Sequence, residues 1–167
     1  MSADQPLGEK RDMSKTENSA LQTLIDKDQI QQVLIRYCDA ADRADEALLR
    51  SVFHPEGTDE HAGMFAGAID ELAPMMIKMH DKFSVTQHSI GNIVIDVDGD
   101  GEVAQSRCQI TAHHRYEVDG QHYHLVAGGR YLDHLEKRDG EWRIASRVTH
   151  MDWSLTHRIE AGLPSPF

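Results

Sequence analysis

Apolar residues in the first part of the chain recur every three or four positions, which is the spacing of an amphipathic helix. The longest such stripe predicts a helix with apolar positions at Leu21, Leu24, Ile25, Ile30, Val33, Leu34, Tyr37, Cys38 and Ala41. Asp26 or Asp28 is expected to break or cap the stripe, because both residue types favour helix ends. We therefore expect a short helix followed by a longer one.

Three shorter elements are predicted between the long stripe and the middle of the chain. Residues 46–53 favour a short helix that ends before Pro55, since the residue preceding a proline avoids helical backbone angles. Residues 58–66 favour a strand. Residues 68–81 favour a third helix, with Pro74 loosening its first turn.

The second half of the chain changes to the pattern of long β-strands, rich in β-branched and aromatic residues. Four such segments cover residues 84–97, 102–118, 122–138 and 141–155. They are separated by hairpin signals at Asp98-Gly99-Asp100-Gly101, Asp119-Gly120 and Asp139-Gly140. Helices followed by an antiparallel meander predict an α+β fold in which the helices pack on one face of a curved, mainly antiparallel sheet.

The length of 167 residues suits one domain with a substantial core. We expect that domain over residues 21–157, a mobile N-terminal tail over 1–20 and a C-terminal tail over 158–167. A net charge of −11 argues against nucleic acid or an anionic membrane as partner, because both require a positive surface. The start of the chain lacks the apolar core of a secretory signal, and two cysteines are too few for a disulfide framework. A cytoplasmic protein with reduced thiols is expected.

One segment superficially resembles a calcium-binding loop. Residues 96–107 place Asp96, Asp98, Asp100 and Gly101 as in the first half of that loop. The twelfth position, where a bidentate glutamate is required, is Arg107, and the flanking segments are predicted strands. We therefore interpret the segment as a hairpin turn.

Eleven histidines are the unusual feature of the composition. A two-residue turn at Asp119-Gly120 would place Arg115 opposite His124 and Glu117 opposite His122, with one strand face polar and the other apolar. The polar face would carry His113, His122 and His124, a conceivable zinc site that Arg115 would crowd, and no metal is expected. His114 falls on the apolar, inner face, where it is either a structural residue or part of a pocket wall.

Two further residues have the side chains required for acid–base chemistry. Asp42 lies one turn beyond Cys38, at the edge of the apolar stripe of the long helix, and His88 lies early in a predicted strand. Taken alone, Asp42 is better interpreted as a solvated carboxylate near a helix end, and a single strand histidine such as His88 indicates no role. Together they are the types that form a general base, in which a carboxylate orients a neutral imidazole.

Four segments resemble the SnoaL-like branch of the NTF2-like superfamily. They are IQQVLIRYCDAADRAD, LLRSVFHPEG, TQHSIGN and GGRYLDHLEKRDGEWRIASR, within a resemblance that runs from Ile25 to Trp153. The resemblance implies a cone-shaped α+β fold whose curved sheet encloses a deep apolar pocket. Within the branch, the segments are most similar to hexachlorocyclohexane dehydrochlorinases and more distantly similar to scytalone dehydratases.

The resemblance also implies roles for particular residues. Asp42 and His88 match the catalytic aspartate and histidine of the dehydrochlorinases, and Arg147 matches their active-site arginine. Tyr37 stands where those enzymes can carry a lysine, and His150 replaces a small residue; both differences favour an oxygenated substrate over a chlorinated one. We expect further substrate contacts from Tyr37, His114, His150, Ile90, Leu125 and Met76, the last beside Met75 and Met79 on the third helix.

The resulting hypothesis is a cofactor-independent lyase acting on a small cyclic or aromatic substrate. His88 would be the general base, Asp42 would orient it, and Arg147 would stabilise developing negative charge. The alternatives are an isomerase or polyketide-cyclase-type enzyme with the same pocket, and a small-molecule-binding module or dioxygenase β-type subunit without catalysis. A homotrimer or homodimer is expected, because the superfamily usually pairs sheets between subunits.

Overall fold

The computed structural model describes residues 14–160, and its helices precede most of its strands. The helices are α1 (Lys15–Arg43), α2 (Glu46–Ser51) and α3 (Ile69–His80). The predicted N-terminal tail is too long, because residues 15–20 belong to α1. Ser14 and Glu17 form a capping box that starts the helix there, and residues 1–13 lie outside the described part.

The expected break at Asp26 or Asp28 is also wrong, since α1 is continuous through both positions. Asp26 is 1% exposed, and its Oδ1 accepts hydrogen bonds from Lys137 Nζ and Trp142 Nε1, each at 2.9 Å. Contacts with the sheet therefore hold this carboxylate inside the helix, where local preference alone would have ended it.

The strands are β1 (Phe53–His61), β2 (Phe65–Ala68), β3 (Val85–Val97), β4 (Val103–Val118), β5 (Gln121–Arg138) and β6 (Glu141–Ile159). They form one six-stranded sheet in the order β2-β1-β6-β5-β4-β3, antiparallel except for the parallel pair β1–β6. The predicted α+β class with a mainly antiparallel sheet is confirmed. The single strand expected over 58–66 is instead two strands joined by a turn.

At the other end of the chain, β6 continues to Ile159 and so enters the predicted C-terminal tail by two residues. Residues 161–167 lie outside the described part.

The hairpin turns and their register agree with the sequence prediction. Arg115 lies opposite His124 and Glu117 opposite His122, around a turn in which Asp119 and Gly120 both have positive φ. In the earlier turn, Oδ1 of Asp98 accepts three backbone N–H groups, from residues 101–103, at 2.8–3.3 Å. The calcium-like segment is therefore a hairpin whose leading carboxylate is bound by backbone amides.

The core lies between α1, α3 and the inner face of the sheet. On β4 and β5 that face carries the predicted apolar set, including Cys108, Ile110, Ala112 and Ala127, each 8% exposed or less. Both cysteines are free thiols, and burial raises the pKa of Cys38 to about 12 and that of Cys108 to about 11. No helix within residues 14–160 is long and apolar enough to cross a membrane.

Candidate active site

A cavity of about 470 Å³ opens between α3 and the inner face of the sheet. Its apolar wall includes Met75, Met76 and Met79 from α3 and Leu125 from β5, as the sequence predicted. Methionine side chains adapt to irregular shapes, and the volume is in the range that binds small organic molecules. Four histidines interrupt this apolar lining: His61, His80, His88 and His114.

Asp42 and His88 meet at the edge of this cavity. Asp42 lies in the last turn of α1, and its Oδ1 is 2.6 Å from His88 Nδ1. Its second oxygen, Oδ2, accepts the backbone N–H of His88 at 2.9 Å. That N–H is available because β3 is an edge strand, with β4 on one side only. The carboxylate is thus fixed by two bonds to one residue.

This geometry determines which nitrogen of His88 carries the proton in the neutral ring. A carboxylate can only accept, so Nδ1 must donate to Asp42, and Nε2 is left with its lone pair. His88 lines the cavity, with 13% of its side chain exposed. A neutral imidazole held in this tautomer can take a proton from a ligand in the cavity.

His114 lies beside the dyad on the inner face of β4. Its ring centroid is 5.4 Å from that of His88, it stacks on Phe83 at 4.6 Å, and its Nδ1 is 3.3 Å from Thr86 Oγ1. Burial, and secondarily the nearby His88, lower the pKa of His114 to about 4. His114 is therefore a neutral hydrogen-bonding group in the cavity wall at neutral pH.

Arg147 does not occupy the position expected of it. It is 1% exposed and lies beneath the cavity floor, where Nε and Nη2 donate to Asp133 at 2.6 and 3.0 Å. Its guanidinium lies between the rings of Tyr37 and Tyr131, 4.0 and 4.1 Å from their centroids. The arginine pairs with Asp133 rather than with Asp42, and it does not line the cavity.

Tyr37 was expected to contact substrate, but it is not among the residues that line the cavity. Its side chain is fully buried in the core, and its hydroxyl donates to Met76 Sδ at 3.8 Å. Burial, and secondarily the Asp59 carboxylate, raise its pKa well above the ordinary tyrosine value. Tyr37 therefore packs α1 against the Arg147 guanidinium and the ring of Tyr131.

His150 and Ile90 are also placed outside the cavity wall. Arg147 faces inward, and side chains alternate along a strand, so a residue three positions later faces outward. His150 is accordingly exposed, opposite Arg130 on β5. Ile90 is half-buried and packs against the core.

The outer sheet face brings some of its histidines together. His113 Nδ1 is 3.1 Å from His124 Nε2, whereas His122 lies 3.9 Å from Glu117. Across the part of the chain that the structure describes, no three histidine, cysteine or acidic side chains are arranged to hold a metal ion.

The sequence did not reveal the polar residues that β1 and β6 contribute to the cavity wall. His61 and Thr149 line it from β1 and β6, and Asp59 lies behind them, 1% exposed. These strands pair in parallel although they lie far apart in the chain. The only local signal was the alternation of Asp59 and His61 in a predicted strand, which puts both on one face.

The comparisons with known proteins agree with this architecture. Residues 22–148 match the family model of the SnoaL-like domain. An uncharacterized protein of Mycobacterium tuberculosis is 28% identical over 128 residues, covering 74% of this chain and 83% of its own.

Two solved structures have the same fold at low identity. A provisionally named scytalone dehydratase from Novosphingobium aromaticivorans has a TM-score of 0.73 at 21% identity, covering 89% of this chain and 98% of its own. A hexachlorocyclohexane dehydrochlorinase from Novosphingobium barchaimii has a TM-score of 0.75 at 15% identity, covering 87% and 99%. The expected NTF2-like fold is thereby confirmed, and the chain belongs to the SnoaL-like domain family.

Proposed function

We propose that this protein is a cofactor-independent lyase that eliminates water, or a related leaving group, from a small cyclic or aromatic substrate. The observation that carries the proposal is the 2.6 Å contact between Asp42 Oδ1 and His88 Nδ1 at the wall of an apolar cavity. The lyases among the structural neighbours support the same class of reaction.

In the proposed reaction, Nε2 of His88 takes a proton from a substrate carbon. The C–H electron pair becomes the new C=C bond, and the C–O bond to the leaving group breaks with its electrons on oxygen. The imidazolium that forms is stabilised by Asp42, and its proton passes to the departing oxygen, which leaves as water. His88 is then neutral again, so the cycle balances without a cofactor.

The other residues have supporting parts in this proposal. Neutral His114 donates a hydrogen bond to a substrate oxygen and favours departure of the leaving group. Arg147 acts from beneath the floor: its ion pair with Asp133 fixes the ring of Tyr131, which lines the cavity. Arg147 is therefore a positioning residue, and it does not itself stabilise the negative charge that develops on the leaving group.

The same dyad would also serve an isomerase or a polyketide-cyclase-type enzyme, in which the proton returns to carbon or a C–C bond forms. The measured mass of the product separates these reactions, because only dehydration lowers it by one water. A binding module or dioxygenase β-type subunit would have no need of an oriented base, so the dyad favours an enzyme.

The test begins by screening the purified protein against oxygenated aromatic and alicyclic compounds, with mass spectrometry of the products. For a substrate found in this way, we expect His88→Ala to lower kcat by about 10³-fold, the size of a general-base contribution. His150→Ala, on the outer face, is the matched control and should keep full activity. A folded His88→Ala variant with normal turnover would overturn the proposal.

A further inference from the structure

Buried polar atoms without a partner are concentrated at one place in the molecule. Within residues 14–160, five buried side-chain atoms lack a hydrogen-bond partner: both carboxylate oxygens of Asp59, His61 Nδ1, Arg147 Nη1 and Thr149 Oγ1. Leaving such groups unsatisfied is costly, and native proteins rarely do so without a functional reason. The cluster therefore leaves both donors and acceptors available to a bound molecule.

The register of the parallel strand pair explains why these side chains meet. Asp59 lies beside Arg147, and His61 lies beside Thr149. Neighbouring residues two apart on a strand face the same way, so all four side chains share the inner face of the sheet. The cluster therefore lies on β1 and β6, whereas the Asp42–His88 dyad lies on α1 and on β3 at the opposite edge of the sheet.

The cluster has two layers. His61 and Thr149 line the cavity, and 19% of the His61 side chain is exposed, whereas Thr149 is buried. Asp59 lies behind them with a fully buried side chain, and its Oδ1 is 3.4 Å from His61 Nδ1. Like Asp42 and His88, these two residues are an aspartate and a histidine, but they lie farther apart. A small movement of His61 would bring the two side chains within hydrogen-bond distance.

Charge indicates which ligand group fits. Arg147 already donates two hydrogen bonds to Asp133, and a second fully buried carboxylate, Asp59, lies beside Arg147 on the neighbouring strand. A ligand carboxylate or phosphate would add a further negative charge to this region. A neutral hydroxyl can instead donate one hydrogen bond and accept another, and the cluster offers both kinds of partner.

We propose that His61 and Thr149 form a hydroxyl-binding subsite, with Asp59 as the positioning residue that holds His61. The inference deepens the proposed function and rests on it for one point, that the bound molecule is the substrate. The substrate would then be a neutral, hydroxylated ring whose oxygen binds at β1 and β6 while its reacting carbon faces His88.

Binding of two matched probes tests this subsite without any turnover. The probes are 2-naphthol and 2-methylnaphthalene, which differ by a hydroxyl in place of a methyl group, and the method is isothermal titration calorimetry. The wild-type protein is expected to bind 2-naphthol about tenfold more tightly, the effect of one or two hydrogen bonds in a buried site.

The variants separate the subsite from the rest of the cavity. Thr149→Val, His61→Phe and Asp59→Asn should each reduce the preference for 2-naphthol to within about twofold, while affinity for 2-methylnaphthalene stays unchanged. Ser154→Ala removes a hydroxyl from another part of the cavity wall and should keep the preference.

Two results would overturn the inference. One is equal affinity of the wild-type protein for the two probes. The other is that Thr149→Val and His61→Phe both keep the full preference for 2-naphthol, whether or not they lose thermal stability. His88→Ala should keep the preference, so loss of the subsite and loss of the proposed catalytic function are distinguishable.

Discussion

The neutral imidazole of His114 makes folding stability depend on pH. Its pKa falls from 6.5 to about 4 on folding, chiefly through burial. Between these values the unfolded chain binds a proton that the folded chain does not, so acid favours unfolding. Solvent screening of this partly buried ring reduces the effect, and the predicted contribution is a loss of about 1–2 kcal/mol in the free energy of unfolding as the pH falls from 6.5 to 4.

The prediction is measured by urea denaturation of the wild type, His114→Gln and His150→Gln at several pH values. His114→Gln should flatten the dependence in this window, whereas exposed His150→Gln should follow the wild type. An unchanged slope in His114→Gln would show that other groups produce the acid sensitivity.

Single residues also show how far the sequence could predict the site. Asp42 and His88 were found because their segments resemble a known family, and the structure brings them into contact. Strand alternation was available for the last strand too, and it forbids Arg147 and His150 from facing the same way. The burial of Arg147 could not be predicted, because it depends on two tyrosines contributed by separate elements.

At the scale of elements, the packing of α1 against the β5–β6 hairpin depends on the Asp26 carboxylate. Asp26 binds Lys137 and Trp142, so Asp26→Ala would leave a buried indole N–H and a largely buried ammonium without their acceptor. We predict a loss of about 3 kcal/mol in the free energy of unfolding, measured by urea denaturation. Asp28→Ala, exposed in the same helix, is the control and should cost little. Equal effects would contradict a specific role for Asp26.

Asp26 also shows why some elements were predicted correctly and others were not. The turns of the β3–β6 meander and the β4–β5 register depend on local aspartate–glycine chemistry, and the structure confirms them. The continuity of α1 depends on partners more than a hundred residues away, and the sequence analysis saw only two aspartates in a helical stripe. Long-range contacts override local preference here.

At the scale of the whole molecule, we propose that copies of this chain assemble as a homotrimer or homodimer through the outer sheet face. The end of β6 exposes large apolar side chains, with Trp153 53% and Leu155 60% exposed, which is typical of a surface that becomes covered. Light scattering at micromolar concentration should give two or three times the 18.8 kDa of one chain.

The variant Leu155→Asp should shift this assembly toward monomer, because association would bury the new charge. Gln31→Asp is the control, since Gln31 is an exposed polar residue on α1, and it should leave the mass unchanged. A wild-type protein that scatters as a monomer would refute the assembly.

The parallel pairing of β1 with β6 has a consequence for the order of folding. During synthesis, β1 and its antiparallel neighbour β2 leave the ribosome early, but β6, the parallel neighbour of β1, is the last of the described strands to be made. Until β6 arrives, Asp59 has no buried guanidinium nearby and stays hydrated at an open edge. Pairing across so long a loop is slow. The β3–β5 meander is therefore expected to form first, and the wall of the cavity on β1 and β6 to form as the final step.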